Sequence, residues 1–265
     1  MDFCSIASGS SGNCIYTGSE ETAVLVDAGI SARQIEKSLN SIDRSLKEVD
    51  GILVTHEHSD HIKGIGVISR KYGVPIYGTP GTLRAVKNCS SLGKIEEGLL
   101  HEIHEDENFY IGDIKVHPFE IPHDAAQPVA YRLEHDGHAV AVATDLGVFN
   151  DYIVENLQDL DAILLEANHD VRMLMAGSYP YYLKQRILGT HGHLSNENAG
   201  LLLCRILHDK LKKIYLGHLS KENNYEELAY EAVCMEVTMG ENPYKASDFC
   251  IQVAKRSEIT ELIAV

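Results

Sequence analysis

Six consecutive residues constrain this chain more than any other stretch: His56-Glu57-His58-Ser59-Asp60-His61, directly after the apolar run 52–55. Four of the six are metal-ligand side chains. In an extended loop, residues two apart point the same way, so His56 and His58 can converge on one cation. Asp60 and His61 stand at the turn into the next helix, where they can address a second. The helical zincin pattern is excluded, because four residues on from His56 is Asp60 rather than a histidine. One loop cannot close a dinuclear site, so further ligands must come from other strand ends. His123 follows the run 114–119, Asp145 ends 139–144 and His218 ends 214–216, which is where α/β folds deliver their functional side chains.

The rest of the chain reads as scaffold. With 265 residues, 44% of them apolar and 23% charged, one continuous globular domain over 1–265 is expected, without a Pro-, Gly- or Ser-rich linker or a long run of like charge. Short apolar runs predict strands at 23–26, 52–55, 74–77, 114–119, 129–133, 139–144, 162–165, 214–216 and 249–253. Amphipathic stretches predict helices at 32–39, 62–72, 82–86, 149–156, 196–208 and 224–239, with Ser195 or Asn196 and Asn223 or Asn224 as N-caps. Turn residues Gly112-Asp113 and Asp136-Gly137 predict hairpins within 109–144, and therefore an α/β chain with mixed sheets flanked by helices.

Composition excludes several classes. No apolar run approaches the roughly 20 residues that cross a bilayer, and residues 1–13 lack a basic and then apolar leader, so a cytoplasmic protein without membrane contact is expected. The six cysteines show no C-x-x-C spacing and read as reduced thiols, against zinc-ribbon or thioredoxin chemistry. The formal charge of −16 repels polyanions globally, so a nucleic-acid partner requires a local basic strip or bound cations. Of the 14 histidines, His101, His104, His117, His135, His138 and His208 have no ligand-like neighbourhood and are expected at the surface or in packing. Lys210, Lys212 and Lys213 read as a basic run at a helix end, favoured by the macrodipole.

The motif His-x-His-x-Asp-His, matched by His56, His58, Asp60 and His61 without a mismatch, resembles the signature of metallo-β-lactamase-fold hydrolases, and the resemblance runs nearly the whole length. It implies an αββα sandwich with the site at one edge. It also implies that His56, His58 and His123 hold one ion and Asp60, His61 and His218 the other, with Asp145 bridging. Asp27, at the end of a strand, falls on the family's aspartate that holds a ligand in place from behind. His58 stands where flavodiiron proteins carry Glu, which favours hydrolysis over redox chemistry. Glu166 and His193 resemble the glutamate and histidine motifs of ribonuclease Z-like phosphodiesterases, which casts Glu166 as orienter and His193 as proton donor. Asp60, Glu166 and His193 are then the catalytic set. Residues 8–13, 166–170 and 192–196 together resemble the bacterial YycJ (WalJ) family, associated with exonuclease activity on DNA, which implies 5′ to 3′ cleavage. The long insertions and exosite arm of ribonucleases J and Z are not seen, so tRNA or mRNA is disfavoured.

The expected cofactor is two divalent ions of zinc, manganese or iron, since five His and two Asp admit each of them. Two cations would also answer the polyanion objection by placing positive charge where the phosphate must sit. Candidate substrate contacts are Ser10, Ser11 and Asn13, in a Gly/Ser loop able to form an anion nest, and Arg172, Lys184 and Arg186, interleaved with Tyr179, Tyr181 and Tyr182. The rival readings are a hydrolase of small acyl or thioester substrates, which the Glu166 and His193 motifs argue against, and a non-catalytic binding protein, which the filled ligand positions argue against. Oligomeric state stays open.

Overall fold

The runs 23–26, 139–143 and 162–165 are apolar at every position, which requires both faces to be covered. The computed structural model, which describes residues 1–265, meets that requirement with two seven-stranded sheets and helices on the outer face of each. The first sheet takes β1 (Asp2–Ala7), β2 (Cys14–Gly18), β3 (Ala23–Val26), β4 (Gly51–Leu53), β5 (Ile76–Gly78) and β6 (Leu100–Glu102). The second takes β7 (Phe109–Ile111), β8 (Ile114–Glu120), β9 (Val129–His135), β10 (His138–Ala143), β11 (Ala162–Glu166), β12 (Lys213–Gly217) and β13 (Ile251–Val253). The chain then returns to the first sheet, where β14 (Ile263–Ala264) pairs with β1.

Each sheet is half antiparallel and half parallel. In the first, β1, β2 and β3 pair antiparallel and β3, β4, β5 and β6 parallel. In the second, β7 to β10 pair antiparallel through the predicted hairpins, and β10 to β13 pair parallel. Asp136 and Gly137 supply the two positive φ values, 48° and 79°, that a tight hairpin turn between His135 and His138 needs. The mixed αββα sandwich expected from the sequence is therefore the fold.

Alternation along the strands separates three hydrophobic layers. Val24 and Val26 of β3 join Ala162 and Leu164 of β11 in a core between the sheets. Leu25 points the other way, into a layer with Ile35, Leu39, Ile65 and Ile68 from α1 (Ala32–Asn40) and, beyond the short α2 (Ser59–Ile62), α3 (Ile65–Tyr72). Leu83 and Val86 of α4 (Pro80–Asn88) complete that layer. Ile163 and Leu165 face a third layer, covered by α5 (Asp151–Asn156) and, past α6 (Val171–Ala176) and α7 (Tyr181–Leu188), by α8 (Asn196–Ile206) and α9 (Glu226–Met239).

Several elements differ from the sequence expectation, each for a physical reason. The expected helix 62–72 is two helices, because the Gly64 amide donates to the Ala28 carbonyl (2.7 Å) and begins a new helix at Ile65. Neither Asn223 nor Asn224 caps α9; its N-cap is Tyr225, and the Asn224 amide is spent on the carbonyls of Ala167 and Asn168. Lys213 is no helix-end lysine: it opens β12, is buried, and donates to Gln252 Oε1 at 2.9 Å. Strands β1 and β2 were not expected, since their Cys, Ser and Thr residues break the apolar pattern. They are held instead by register, with Ser5 bonded through its amide to Thr260 Oγ1. No helix is long and apolar enough to cross a membrane.

Because Leu164 is fully buried between the sheets, Leu164→Ala should cost about 2–5 kcal/mol in denaturant unfolding at constant metal loading. Val67→Ala, at a position 49% exposed on α3, should stay within about 0.5 kcal/mol. A loss of that small size at Leu164 would contradict the inter-sheet core.

Candidate metal centre

Parallel strands all end at the same edge, and the candidate residues stand there: Asp27 after β3, His56 beyond β4, His123 beyond β8, Asp145 after β10, Glu166 at the end of β11 and His218 after β12. Asp27, Asp145 and His218 occupy the left-handed backbone region, with φ of 62°, 61° and 54°. Such conformations are uncommon outside glycine and cluster at functional sites. They turn Asp145 and His218 out of their strands into one shared pocket, and Asp27 toward the back of His61.

Within the pocket the donors fall into two groups joined by one carboxylate. His58 Nδ1 lies 3.0 Å from His56 Nε2 and 3.3 Å from His123 Nε2. Asp60 Oδ2 lies 3.6 Å from His61 Nε2 and 3.4 Å from His218 Nε2. Asp145 stands between them, with Oδ2 3.3 Å from His61 Nε2 and Oδ1 3.7 Å from His123 Nε2. The two triads expected from the sequence are thus each brought together, as donor groups within 4.8 Å of one another.

The opposite ring atoms are held from behind. His61 Nδ1 donates to Asp27 Oδ2 at 2.7 Å, and Thr55 clamps that carboxylate through its amide and hydroxyl, both at 2.9 Å. His56 Nδ1 is bonded to Thr55 Oγ1 (3.0 Å), His123 Nδ1 to the Gly192 carbonyl (3.1 Å) and His218 Nδ1 to Glu166 Oε1 (2.9 Å). With Nδ1 committed, each Nε2 is the ring atom turned toward the pocket, the orientation a cation requires. Converging ring nitrogens and a buried Asp145 Oδ2 with no hydrogen-bond partner are poorly satisfied by one another. These residues fit divalent cations.

Electrostatics divide the imidazoles into two kinds. Burial and the neighbouring His61 hold His56 well below the ordinary histidine range, and burial also lowers His123. Both are neutral and ready to ligate. Burial opposes charge on His61 and His218 too, but the carboxylates of Asp27 and Asp145 raise His61, and Asp145, Asp60 and Glu166 raise His218 to about 10. Burial likewise works against Asp60, yet hydrogen bonds from His218 and His61 pull its carboxyl far below the usual range.

Glu166 and His193 are also brought to the site. His193 Nδ1 donates to Glu166 Oε1 at 2.8 Å, while Glu166 Oε2 accepts from the amides of Leu146 (2.9 Å) and Leu194 (3.0 Å). Burial disfavours its charge, but His193 and His218 keep the carboxyl ionised far below its usual range. The sequence pointed to Glu166 as partner of His193; that it orients His218 with the same oxygen was missed. Thr55 was missed as well, although it directly precedes His56.

A pocket of 220 Å³ opens over these donors, lined also by Ser10, Asp124, Asn168, Tyr179, Leu183, Arg186, Ile187 and Ser220. Of the candidate substrate contacts, Ser10 and Arg186 reach it, and Arg186 is ion-paired with Asp124. Ser11, Asn13, Arg172 and Lys184 do not line it. Asn13 is buried and clamps its own loop, accepting from the Gly9 amide at 2.9 Å, and Lys184 Nζ donates to the carbonyls of Met175 and Gly177.

A two-sheet sandwich carrying a histidine and carboxylate donor cluster at one edge defines a hydrolase of the metallo-β-lactamase class. The sequence model of the beta-lactamase superfamily domain matches residues 22–218. Over 225 residues the chain is 45% identical to exodeoxyribonuclease WalJ of Streptococcus pneumoniae serotype 2, covering 85% of this chain and 84% of that one. It is 40% identical to exodeoxyribonuclease YycJ of Bacillus anthracis, with 88% of each covered. The chain belongs to the beta-lactamase superfamily, and within it to the WalJ/YycJ family. Zn²⁺-bound PqqB from Methylobacterium extorquens shares the fold, with a TM-score of 0.70 at 17% identity over 98% of this chain and all of that one.

Because His61 and His218 carry raised pKa values, cation loading of chelator-stripped protein at neutral pH should release protons, read by a pH indicator in weak buffer. Folded His218 titrates at about 10 against about 6.5 unfolded. Its contribution to the stripped protein is therefore complete below about 6.5 and fades as the pH climbs through 10. Thermal midpoints of the stripped protein should fall across that window. Loading without proton release would contradict the assigned protonation.

Proposed function

We propose that this chain is a metal-dependent phosphodiesterase, a DNA exonuclease in action, with two divalent cations. His56, His58 and His123 would hold one and Asp60, His61 and His218 the other, with Asp145 shared between them and Asp27 fixing His61. The observation that carries the reading is the Glu166–His193 pair beside this donor set, since a proton donor aimed at a leaving group is what cleaving an unactivated phosphodiester needs. The names of the WalJ and YycJ relatives support DNA as substrate and an end-directed mode of cleavage. Six free cysteines suit a reducing cytoplasm.

When bound, the cations supply an acidified water and positive charge that offsets the phosphate oxygens. The remaining work falls to side chains. His193 spends Nδ1 on Glu166, and its Nε2 makes no hydrogen bond within the protein. Burial opposes its charge, but Glu166 and Asp145 raise its pKa above the ordinary value, which favours the protonated ring. That proton passes from Nε2 to the departing sugar oxygen. Glu166 fixes the ring and compensates the charge, which makes it a positioning residue. Tyr179, Leu183 and Ile187 form an apolar wall against which a nucleoside can lie, and Arg186 marks its rim.

His193→Ala should keep both ions and the fold yet lose about two to four powers of ten in turnover on DNA. The defect should shrink on a p-nitrophenyl diester, whose leaving group needs no proton, and Glu166→Gln should give a smaller loss of the same kind. Undiminished DNA cleavage, or brisk thioester hydrolysis by a parent enzyme inert on DNA, would refute the reading. In metal analysis Asp145→Ala should lose occupancy at both positions and Asp60→Ala mainly at one; full loading of Asp145→Ala would remove the bridge. Substrates labelled at either end decide whether cleavage runs 5′ to 3′.

A further inference from the structure

Part of the pocket rim is built by segments that the catalytic reading leaves unused. Ser10, from the loop 8–13, and Ser220, two residues beyond His218, line the pocket together with Asp60 and His218. This loop is fixed to its neighbours: the Ser8 amide donates to the Lys255 carbonyl at 3.2 Å, and the His218 amide donates to Ser8 Oγ at 2.8 Å. Arg256, which follows β13, lies across that junction. Its Nη1 donates to Ser10 Oγ at 3.3 Å and its Nη2 to the Leu219 carbonyl at 2.9 Å. Gly9 makes room for it, since a Cβ there would stand 2.8 Å from Arg256 Nη1.

Arg256 is held without a carboxylate in ion-pair reach, as Arg70 is, but next to the pocket wall rather than far from it. Arg44, Arg132, Arg186 and Arg205 are each paired with a carboxylate. Arg256 is half-buried and bonded only to a hydroxyl and a carbonyl, in a chain whose acidic groups outnumber basic ones 39 to 23. A guanidinium has five N–H donors, and these two bonds leave most of them unspent. Burial works against its charge and Glu226 supports it from a distance without pairing, so its free donors can take an anion, and Ser10 joins it to the wall of the pocket that holds the donor cluster.

We propose that Arg256, with the hydroxyls of Ser10 and Ser220, forms a second phosphate subsite that holds the phosphodiester adjacent to the one being cleaved. This rests on the nucleic-acid reading above and narrows it: the preferred substrate is a strand with consecutive phosphates, not an isolated diester. The planar fork of arginine matches two phosphate oxygens at once. Ser10 shares the pocket wall with Asp60 and His218 on one side and touches Arg256 on the other. Subsite and donor cluster are therefore contiguous, as neighbouring phosphates of one strand require.

The test compares metal-loaded parent, Arg256→Gln, Arg256→Lys and Ser10→Ala on an oligodeoxynucleotide and on thymidine 5′-(p-nitrophenyl phosphate), which has one diester and no neighbouring phosphate. Arg256→Gln should raise KM for the oligonucleotide about tenfold with little change in kcat, and leave the single diester unaffected. The slope of log(kcat/KM) against log salt should fall by about one. Arg256→Lys, which keeps charge but not the fork, should be intermediate. Ser10→Ala, at an exposed position where folding is not at risk, should give a smaller rise in KM confined to the oligonucleotide. Equal losses on both substrates, or none on either, would overturn the subsite. A parent that cleaves the single diester but no oligonucleotide would instead overturn the nucleic-acid reading and the subsite with it.

Discussion

The structure depends on one electrostatic constraint: three carboxylates, Asp27, Asp145 and Glu166, stand at 0%, 2% and 0% exposure at the edge where the strands end. Unpaired, each would cost several kcal/mol or take up a proton. Each is offset by imidazoles instead, Asp27 by His61, Glu166 by His193 and His218, and Asp145 by the histidines around it. The same contacts orient the rings, so the interactions that make burial tolerable also aim the Nε2 atoms. Asp145 Oδ2 remains without a hydrogen bond, and in the proposed centre a cation would complete it. The left-handed backbone at Asp27, Asp145 and His218, costing on the order of 1 kcal/mol each, is held by this network together with the sheets beneath.

Legibility in the sequence followed locality. His56, His58, Asp60 and His61 lie within one hexapeptide, and His123, Asp145 and His218 each end an apolar run, so both the donors and the strands that carry them could be read directly. The sandwich was legible because strands covered on both faces are apolar throughout. Strands β1 and β2 were not, because Ser5 and Thr17 are buried polar residues whose places are fixed by partners outside their own strands, Thr260 and Asp2. Lys184 and Asn13 looked like substrate contacts by residue type alone, yet Lys184 is consumed by nearby carbonyls and Asn13 by its own loop and by His61, whose Nε2 lies 3.1 Å from Asn13 Nδ2. Arg256 gave no signal at all: its bonds to Ser10 and to the Leu219 carbonyl join segments that only the fold brings together.

Rigid support and chemistry are thus assigned to different parts of the molecule. The parallel halves of the sheets fix the strand ends, α2 presents Asp60 and His61, and the segment around α7 and the loop 8–13 shape the rim. A surface at −16 overall would be reconciled with a polyanionic substrate by positive charge concentrated where the phosphate must sit, through the proposed cations, Arg186 and the proposed Arg256 subsite.

The most direct test of this account is a metal titration of the chelator-stripped enzyme, following release of mononucleotides from DNA as zinc or manganese is added. If one bridged site holds both cations, activity should be nearly absent at one equivalent and rise to its plateau at about two. Full activity at one equivalent, or no release of nucleotides at any loading, would contradict it.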